Sequence, residues 1–204
     1  MSNWKYAQVV PTTTWRSAMT IPRILSLKNT ENGLKLASNP IDELKILRGS
    51  LDVAIAPQTI SEETKPKIAL SKIASGGELM LEFEKGSSND FGLNIANNKG
   101  ENLKIGFDAT TNQFYIDRTN AGKKDFSPEF IGKHFAPRFS KSNTIKLHII
   151  LDASSVEVFA DDGLTVMTDV FFPNENFNKL TFYAYNGQVK LKRGRGYAFK
   201  SAWR

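Results

Sequence analysis

The sequence predicts an all-β protein whose main part is an antiparallel β-sandwich preceded by a β-hairpin. Apolar and polar residues alternate with period two in several segments, which is typical of strands with one buried face. Residues that favour turns separate these segments at short intervals. No helical pattern extends beyond about two turns. Strands joined by tight turns indicate a sandwich or a barrel.

The first forty residues differ from the rest of the chain. Two strands are predicted over Ile21–Lys28 and Gly33–Ser38, and Asn39-Pro40 then interrupts the pattern. A short helix is predicted over Ile41–Arg48, because apolar residues recur there at helical spacing and a proline precedes it. We therefore divide the chain into residues 1–40, a linker over residues 41–50 and a sandwich over residues 51–204.

The sandwich segment contains four clear alternating patterns and several turn signals. Their apolar members are Leu79, Leu81 and Phe83; Ile145, Leu147, Ile149 and Leu151; Val156, Val158 and Ala160; and Leu180, Phe182 and Ala184. Hairpin turns are predicted at Asp161-Asp162-Gly163, where the glycine should take a positive φ, and at Asn186-Gly187. Further turns are predicted at residues 97–100 and 120–122. We expect a sandwich of the jelly-roll or concanavalin-like kind.

Composition excludes several classes of function. The 204 residues correspond to one large domain, or to one domain and a fragment, at about 150 residues per domain. The net charge is 27 − 21 = +6 but is spread out, and in Lys190–Arg195 the cations alternate with apolar residues, as on a solvated strand face. We therefore expect no nucleic-acid partner. No apolar run approaches the ~20 residues of a membrane span, so no membrane partner is expected either.

Metal and thiol chemistry are not expected. The sequence has no cysteine, which excludes thiol catalysis, cysteine-based zinc sites and disulfides. It has two histidines, His134 in a predicted loop and His148 on a predicted strand; their spacing does not suggest a metal site, and we expect both to be structural. We predict no metal and no cofactor.

Two stretches resemble glycoside hydrolase family 32, which comprises levanases, inulinases, invertases and related fructan-active enzymes. Residues 2–23 (SNWKYAQVVPTTTWRSAMTIPR) resemble the end of the last blade of that family's five-bladed catalytic propeller and the run that follows it. Residues 155–173 (SVEVFADDGLTVMTDVFFP) resemble a signature hairpin of the family's C-terminal β-sandwich. Residues 115–118 and 201–203 fit the same sandwich. The resemblance covers the whole chain in order.

The motifs that carry catalysis in this family do not occur in the sequence. The family hydrolyses β-fructosides with retention, using a nucleophilic Asp in Asn-Asp-Pro-Asn, a stabilising Asp in Arg-Asp-Pro and an acid/base Glu in Glu-Cys. Retaining glycosidases need two carboxylates ~5 Å apart in a pocket. The pairs Asp161/Asp162, Glu62/Glu63 and Glu82/Glu84 are expected in a turn, in a loop and on a solvated strand face. We assign no catalytic residue.

Two sets of residues are candidates for contact with carbohydrate. By resemblance, Asn3 and Trp4 lie close to the propeller's sugar pocket, where an indole can stack on a sugar and an amide can bond its hydroxyls. Surface aromatic residues of the sandwich are the second set. Tyr183 and Tyr185 are the preferred candidates, with Phe114 and Tyr115 beside them; Tyr183 faces opposite Phe182 and so would be exposed unless a second sheet covers it.

The resemblance implies a non-catalytic C-terminal module that packs against, and stabilises, the catalytic propeller of a fructan hydrolase. Alternatives are an independent carbohydrate-binding module and an active β-fructosidase. Expected partners are the propeller and a fructan or other carbohydrate. Because residues 1–40 would lack their blade neighbours, we expect them either to self-associate or to fold back onto the sandwich. Family members are often secreted or periplasmic; Met1–Tyr6 contain no apolar signal core, so the compartment stays open.

Overall fold

The computed structural model describes residues 6–64, 71–74 and 76–201, and most of them lie in antiparallel β-strands. The strands are β1 (Arg23–Thr30), β2 (Gly33–Pro40), β3 (Arg48–Ile55), β4 (Gln58–Thr64), β5 (Gly77–Glu84), β6 (Asp90–Ala96), β7 (Asn102–Asp108), β8 (Gln113–Asn120), β9 (Lys133–Pro137), β10 (Thr144–Leu151), β11 (Ser155–Ala160), β12 (Thr165–Val170) and β13 (Lys179–Phe199). A 3-10 helix spans Asp42–Leu47 and a short helix, α1, spans Ser71–Ala74. The predicted all-β class is confirmed.

Strands β3–β13 form one folded antiparallel sheet, and β1 pairs with β2 alone. The order in the large sheet is β12-β11-β10-β5-β13-β6-β7-β8-β9, with β3 and β4 also paired along β13. The two edge strands of this order, β12 and β9, come close together: the Thr165 hydroxyl on β12 donates to the Pro137 carbonyl oxygen on β9 at 2.7 Å. The sheet thus folds over itself into a nearly closed sandwich.

The core lies between the two layers and consists of the apolar residues that the alternation predicts. Leu79, Leu81 and Phe83 of β5 are at most 1% exposed. The ring of Phe83 contacts those of Phe91 and Phe182 from the opposite layer, with centroids 5.5 and 6.2 Å apart. The predicted buried faces of β5, β10, β11 and β13 are confirmed.

The long strand β13 joins the two layers, and here one predicted turn is wrong. Asn186 and Gly187 do take positive φ values, 54° and 139°, but the chain continues in the same direction. Residues 179–185 pair with β6, whereas residues 190–198 pair with β5. Glu62 on the adjacent strand β4 also has a positive φ of 59°, where the register shifts. The left-handed residues therefore bend a continuous strand and do not reverse it.

The segment before β3 folds back onto the sandwich and covers the outer face of β11. The backbone N–H of Ile21 donates to Glu157 Oε1 at 2.8 Å, and Arg23 Nη2 donates to Glu157 Oε2 at 2.5 Å. Glu157 and Phe159 are consequently buried, although they lie opposite the main core. A second apolar cluster forms in the same region from Val10, Phe130, Val170 and Phe172, with Tyr6 and Phe126 packed against it. One of the two outcomes expected for this segment, folding back, is therefore present in the structure.

Candidate functional site

The hairpin β1–β2 docks on the turn between β11 and β12. The Ser38 N–H donates to the Gly163 carbonyl oxygen at 2.9 Å, and the Asn39 side chain donates to the Asp162 carbonyl oxygen at 2.9 Å. Lys28 Nζ donates to the same Asp162 oxygen at 2.8 Å. Gly163 has a φ of +83°, as predicted, and a Cβ there would lie 2.4 Å from the Ser38 carbonyl oxygen. The glycine is therefore needed both for the turn and for the close approach of β2.

The opposite face of the hairpin is apolar and exposed. The register places Leu27 opposite Leu36, with Leu25 and Leu34 on the same side of the two-stranded sheet. These four side chains, which we call the leucine face, are 58–70% exposed. A contiguous exposed apolar surface of this kind is typical of a protein–protein interface.

A cleft of about 900 Å³ runs between the N-terminal segment, the 3-10 helix and the end of β10. Trp15, Ile21, Leu44, Ile150 and Phe199 are among its lining residues. Trp15 is 38% exposed and lies 6.4 Å, centroid to centroid, from Phe172. The cleft is thus part of the junction between the N-terminal segment and the sandwich.

Asp161 and Asp162, the first of the carboxylate pairs, each have a structural partner. Asp161 is buried, and its Oδ2 accepts from Arg138 Nε at 2.6 Å. Burial raises the pKa of Asp161, and the Arg138 charge opposes this shift. Asp162 is exposed and pairs with Lys146 at 2.8 Å. Because one carboxylate points inward and the other outward, the pair does not form the facing arrangement that a retaining glycosidase requires.

The two other carboxylate pairs lie on strands. Glu62 and Glu63 are in β4, so the loop expected for them is wrong. Glu82 and Glu84 lie on the solvated face of β5 as predicted, 3.9 and 3.8 Å from Arg193 and Lys192 on β13.

Both histidines contact buried carboxylates. His148 Nε2 lies 2.7 Å from Glu78 Oε1, and Arg48 donates to both oxygens of Glu78. Burial opposes ionisation of Glu78, but the hydrogen bonds from His148 and Arg48 lower its pKa to about 2. His134, which the sequence placed in a loop, belongs to β9, and its Nδ1 lies 2.8 Å from Asp169 Oδ2. Among the described residues, no group of three or more His, Asp or Glu side chains could hold a metal ion.

The aromatic candidates separate into buried and exposed groups. Tyr183 is fully buried, so the expectation that it would be exposed is wrong; Phe114 and Tyr115 are buried as well. Tyr185 is partly exposed and stacks on Tyr183 with ring centroids 5.1 Å apart. Asn3 and Trp4 lie outside the described residues. In the described part of the chain, no helix is long and apolar enough to cross a membrane.

The fold and surfaces define a β-sandwich module with an attached N-terminal segment whose outer face is apolar. Residues 43–197 match the family model described as "Glycosyl hydrolases family 32 C terminal". The chain therefore belongs to glycoside hydrolase family 32, and it is the C-terminal module of that family.

Curated relatives and solved structures agree with this assignment. The chain is 36% identical over 208 residues to a levanase of Bacillus sp. (strain L7) and 35% identical over 210 residues to the levanase of Bacillus subtilis (strain 168). Both alignments cover 100% of this chain but only 22% and 30% of those proteins. The crystal structure of exo-inulinase from Aspergillus awamori superposes with a TM-score of 0.87 at 27% identity, covering 100% of this chain and 40% of that one. The chain thus spans less than half the length of these relatives.

Proposed function

We propose that this chain is the non-catalytic C-terminal module of a fructan-hydrolysing glycosidase, and that its N-terminal segment joins the sandwich to a catalytic propeller. Residues 1–40 would complete the last propeller blade, residues 41–50 would link the two parts, and residues 51–204 would form the sandwich. The leucine face is the single observation that carries this proposal. The substrate class is taken from the names of the similar levanases and exo-inulinase. Each of these proteins has most of its length outside the aligned region, where a catalytic propeller would lie.

The two faces of the hairpin explain why a partner is needed. One face carries Lys28 and Asn39, whose side chains donate to the Asp162 carbonyl oxygen, and the edge of β2 is held by the hydrogen bond from the Ser38 N–H to Gly163. The leucine face contacts little of the described chain, although each leucine would contribute about 1.5–3 kcal/mol if it were fully buried. An adjacent protein surface would supply this burial, and it would turn a two-stranded hairpin of marginal stability into the middle of a larger structure.

A chimera tests the proposal. This chain would replace the aligned segment of the Bacillus subtilis levanase, and release of fructose from levan would be followed after heating. We expect Leu27→Asp with Leu36→Asp to shorten the thermal half-life of the chimera markedly, because two charges would enter the interface. Ile131→Asp is the matched control, since Ile131 is 44% exposed and lies outside the hairpin.

Self-association is the competing explanation for the leucine face. If the double variant leaves the chimera's half-life unchanged, while wild-type chain alone scatters light as an oligomer and the variant does not, the face binds a second copy. That result would overturn the proposed contact with a propeller.

A further inference from the structure

The outer face of strands β6–β9 and of the first half of β13 carries a row of aligned residues. Cross-strand register places Tyr183, Gly92, Gly106, Tyr115 and Phe135 in one line across five strands. Paired residues of adjacent strands point to the same side of a sheet. On β6, β7, β8 and β13 the neighbouring residues along each strand belong to the main core, so this line faces away from that core. We call the surface the tyrosine face.

Two glycines allow the tyrosine rings to lie flat on this sheet. A Cβ on Gly106 would lie 2.3 Å from the Tyr183 hydroxyl, and one on Gly92 would lie 2.9 Å from it. The Tyr183 and Tyr115 hydroxyl oxygens are 2.5 Å apart, and Tyr115 donates to Asp90 Oδ1 at 2.6 Å. Burial raises the pKa of Tyr183 well above its usual value, so the hydroxyl keeps its proton. Tyr183 and Tyr115 are themselves at most 2% exposed, because Tyr185 stacks on Tyr183 and Lys133 lies over the Tyr115 ring. The two tyrosines therefore form a buried aromatic floor whose hydrogen bonds end on the half-buried carboxylate of Asp90.

Aromatic rings mark the two ends of the floor. Phe135 on β9 is 48% exposed, and Tyr185 on β13 is partly exposed beside Tyr183. Four strand spacings of ~4.8 Å separate β13 from β9, so the backbones of the strands that carry these rings are about 19 Å apart. This distance suits a chain of several sugar rings and is too long for a monosaccharide.

Charged groups of both signs lie between the two ends. Lys133 Nζ lies 3.5 Å from the Tyr115 ring centroid, and Lys104 Nζ lies 3.5 Å from the Tyr185 hydroxyl. Asp90, Asp108 and Asp117 occupy neighbouring positions on the same strands, so the signs nearly balance. A balanced set of donors and acceptors suits a neutral polyhydroxyl ligand, whereas a polyanion would need an excess of cations.

We propose that the tyrosine face binds a neutral oligosaccharide, with Phe135 and Tyr185 stacking on sugar rings at the two ends and Asp90, Lys104 and Lys133 bonding hydroxyls between them. Aromatic rings offer sugars a flat apolar surface, and a few placed polar groups fix their orientation. Fructan is the ligand to test first, and only that choice rests on the proposed function. Oligosaccharide binding by the tyrosine face does not depend on the proposed contact between the leucine face and a propeller.

Affinity electrophoresis of the chain alone tests this inference. The gels would contain levan, inulin, dextran or no polysaccharide, and titration calorimetry with fructose and a fructo-oligosaccharide would give the length dependence. We expect polysaccharide to retard the chain, and fructose to bind far more weakly than the oligosaccharide. Phe135→Ala and Tyr185→Ala should each weaken binding about two- to tenfold, with melting temperature near that of wild type.

Trp15→Ala is the matched control, because Trp15 is an exposed aromatic residue at the cleft, away from the tyrosine face. Its binding should equal that of wild type. Backbone amide signals of Gly92 and Gly106 should shift on titration with the oligosaccharide. Absence of retardation in all three polysaccharides would overturn the inference, as would loss of binding in Trp15→Ala with both face variants unaffected. Because the experiment uses this chain without an added propeller, its outcomes are separate from those of the chimera that tests the leucine face.

Discussion

Replacing Gly163 by alanine should lower the free energy of unfolding by more than the cost of placing a Cβ on a left-handed backbone. At a φ of +83°, a Cβ costs about 1–2 kcal/mol. The added atom would also lie 2.4 Å from the Ser38 carbonyl oxygen, a backbone atom that cannot rotate away. Strand β2 would have to move from the turn, which weakens the hydrogen bonds of Ser38 and Asn39 with residues 162 and 163, at about 1 kcal/mol each.

Gly100→Ala is the matched control for this experiment. Gly100 has a φ of +78°, but a Cβ there would meet nothing within 4 Å. Both variants therefore carry the backbone cost, and only Gly163→Ala carries the collision. We expect an extra loss of about 2 kcal/mol for Gly163→Ala. At roughly 2–4 °C per kcal/mol for a chain of this size, this corresponds to about 4–8 °C of melting temperature.

Thermal unfolding followed by circular dichroism would measure both variants, and hydrogen exchange would follow the Ser38 amide. We expect this amide to exchange faster in Gly163→Ala and to be unaffected in Gly100→Ala. Equal melting temperatures in the two variants, together with unchanged protection of Ser38, would refute the close approach of β2 to the turn.

Three further outcomes are expected. Asp161→Asn should destabilise the protein by about 3–5 kcal/mol in urea unfolding, because it leaves the Arg138 charge buried without its partner; no change would contradict the buried pair. The pKa of Glu78 is lowered to about 2, so the stability that its carboxylate contributes is complete above the unfolded pKa near 4.5 and is lost as the pH falls towards 2. In acid titrations, Glu78→Gln should weaken this dependence of the free energy of unfolding on pH, whereas the control Glu84→Gln, at an exposed residue, should leave it unchanged. The purified chain should release no fructose from sucrose, levan or inulin, and release above a buffer blank that a point change abolishes would refute a non-catalytic role.

Burial on the second side of a strand could not be predicted from local pattern. The alternation in β11 correctly gives Val156, Val158 and Ala160 as core residues. Glu157 and Phe159 are buried too, because residues 21 and 23 cover them from more than 130 positions away. An alternating pattern identifies the two faces of a strand, but it does not show which distant residues pack on each face.

Part of the tyrosine face could have been found in the sequence, and part could not. Isolated glycines within strand patterns, such as Gly92 and Gly106, signal the close approach of another group. Phe135 was not among the aromatic candidates, because its place beside Tyr115 depends on the register between β8 and β9. The sequence predicts that Tyr183 is exposed unless a second sheet covers it, and in the structure its ring is buried on the two glycines beneath Tyr185.

The sequence by itself determined the strand class, the faces that form the main core, the left-handed glycine at Gly163 and the family, because all of these depend on residue order and local backbone preference. Only the tertiary structure decided that Asn186-Gly187 bends β13 and does not reverse it, that the N-terminal segment closes over β11, and which aromatic rings reach the surface. The physical reason is that these features depend on contacts between residues far apart in the chain, where the same local conformation leads to different outcomes according to the strand or side chain that meets it.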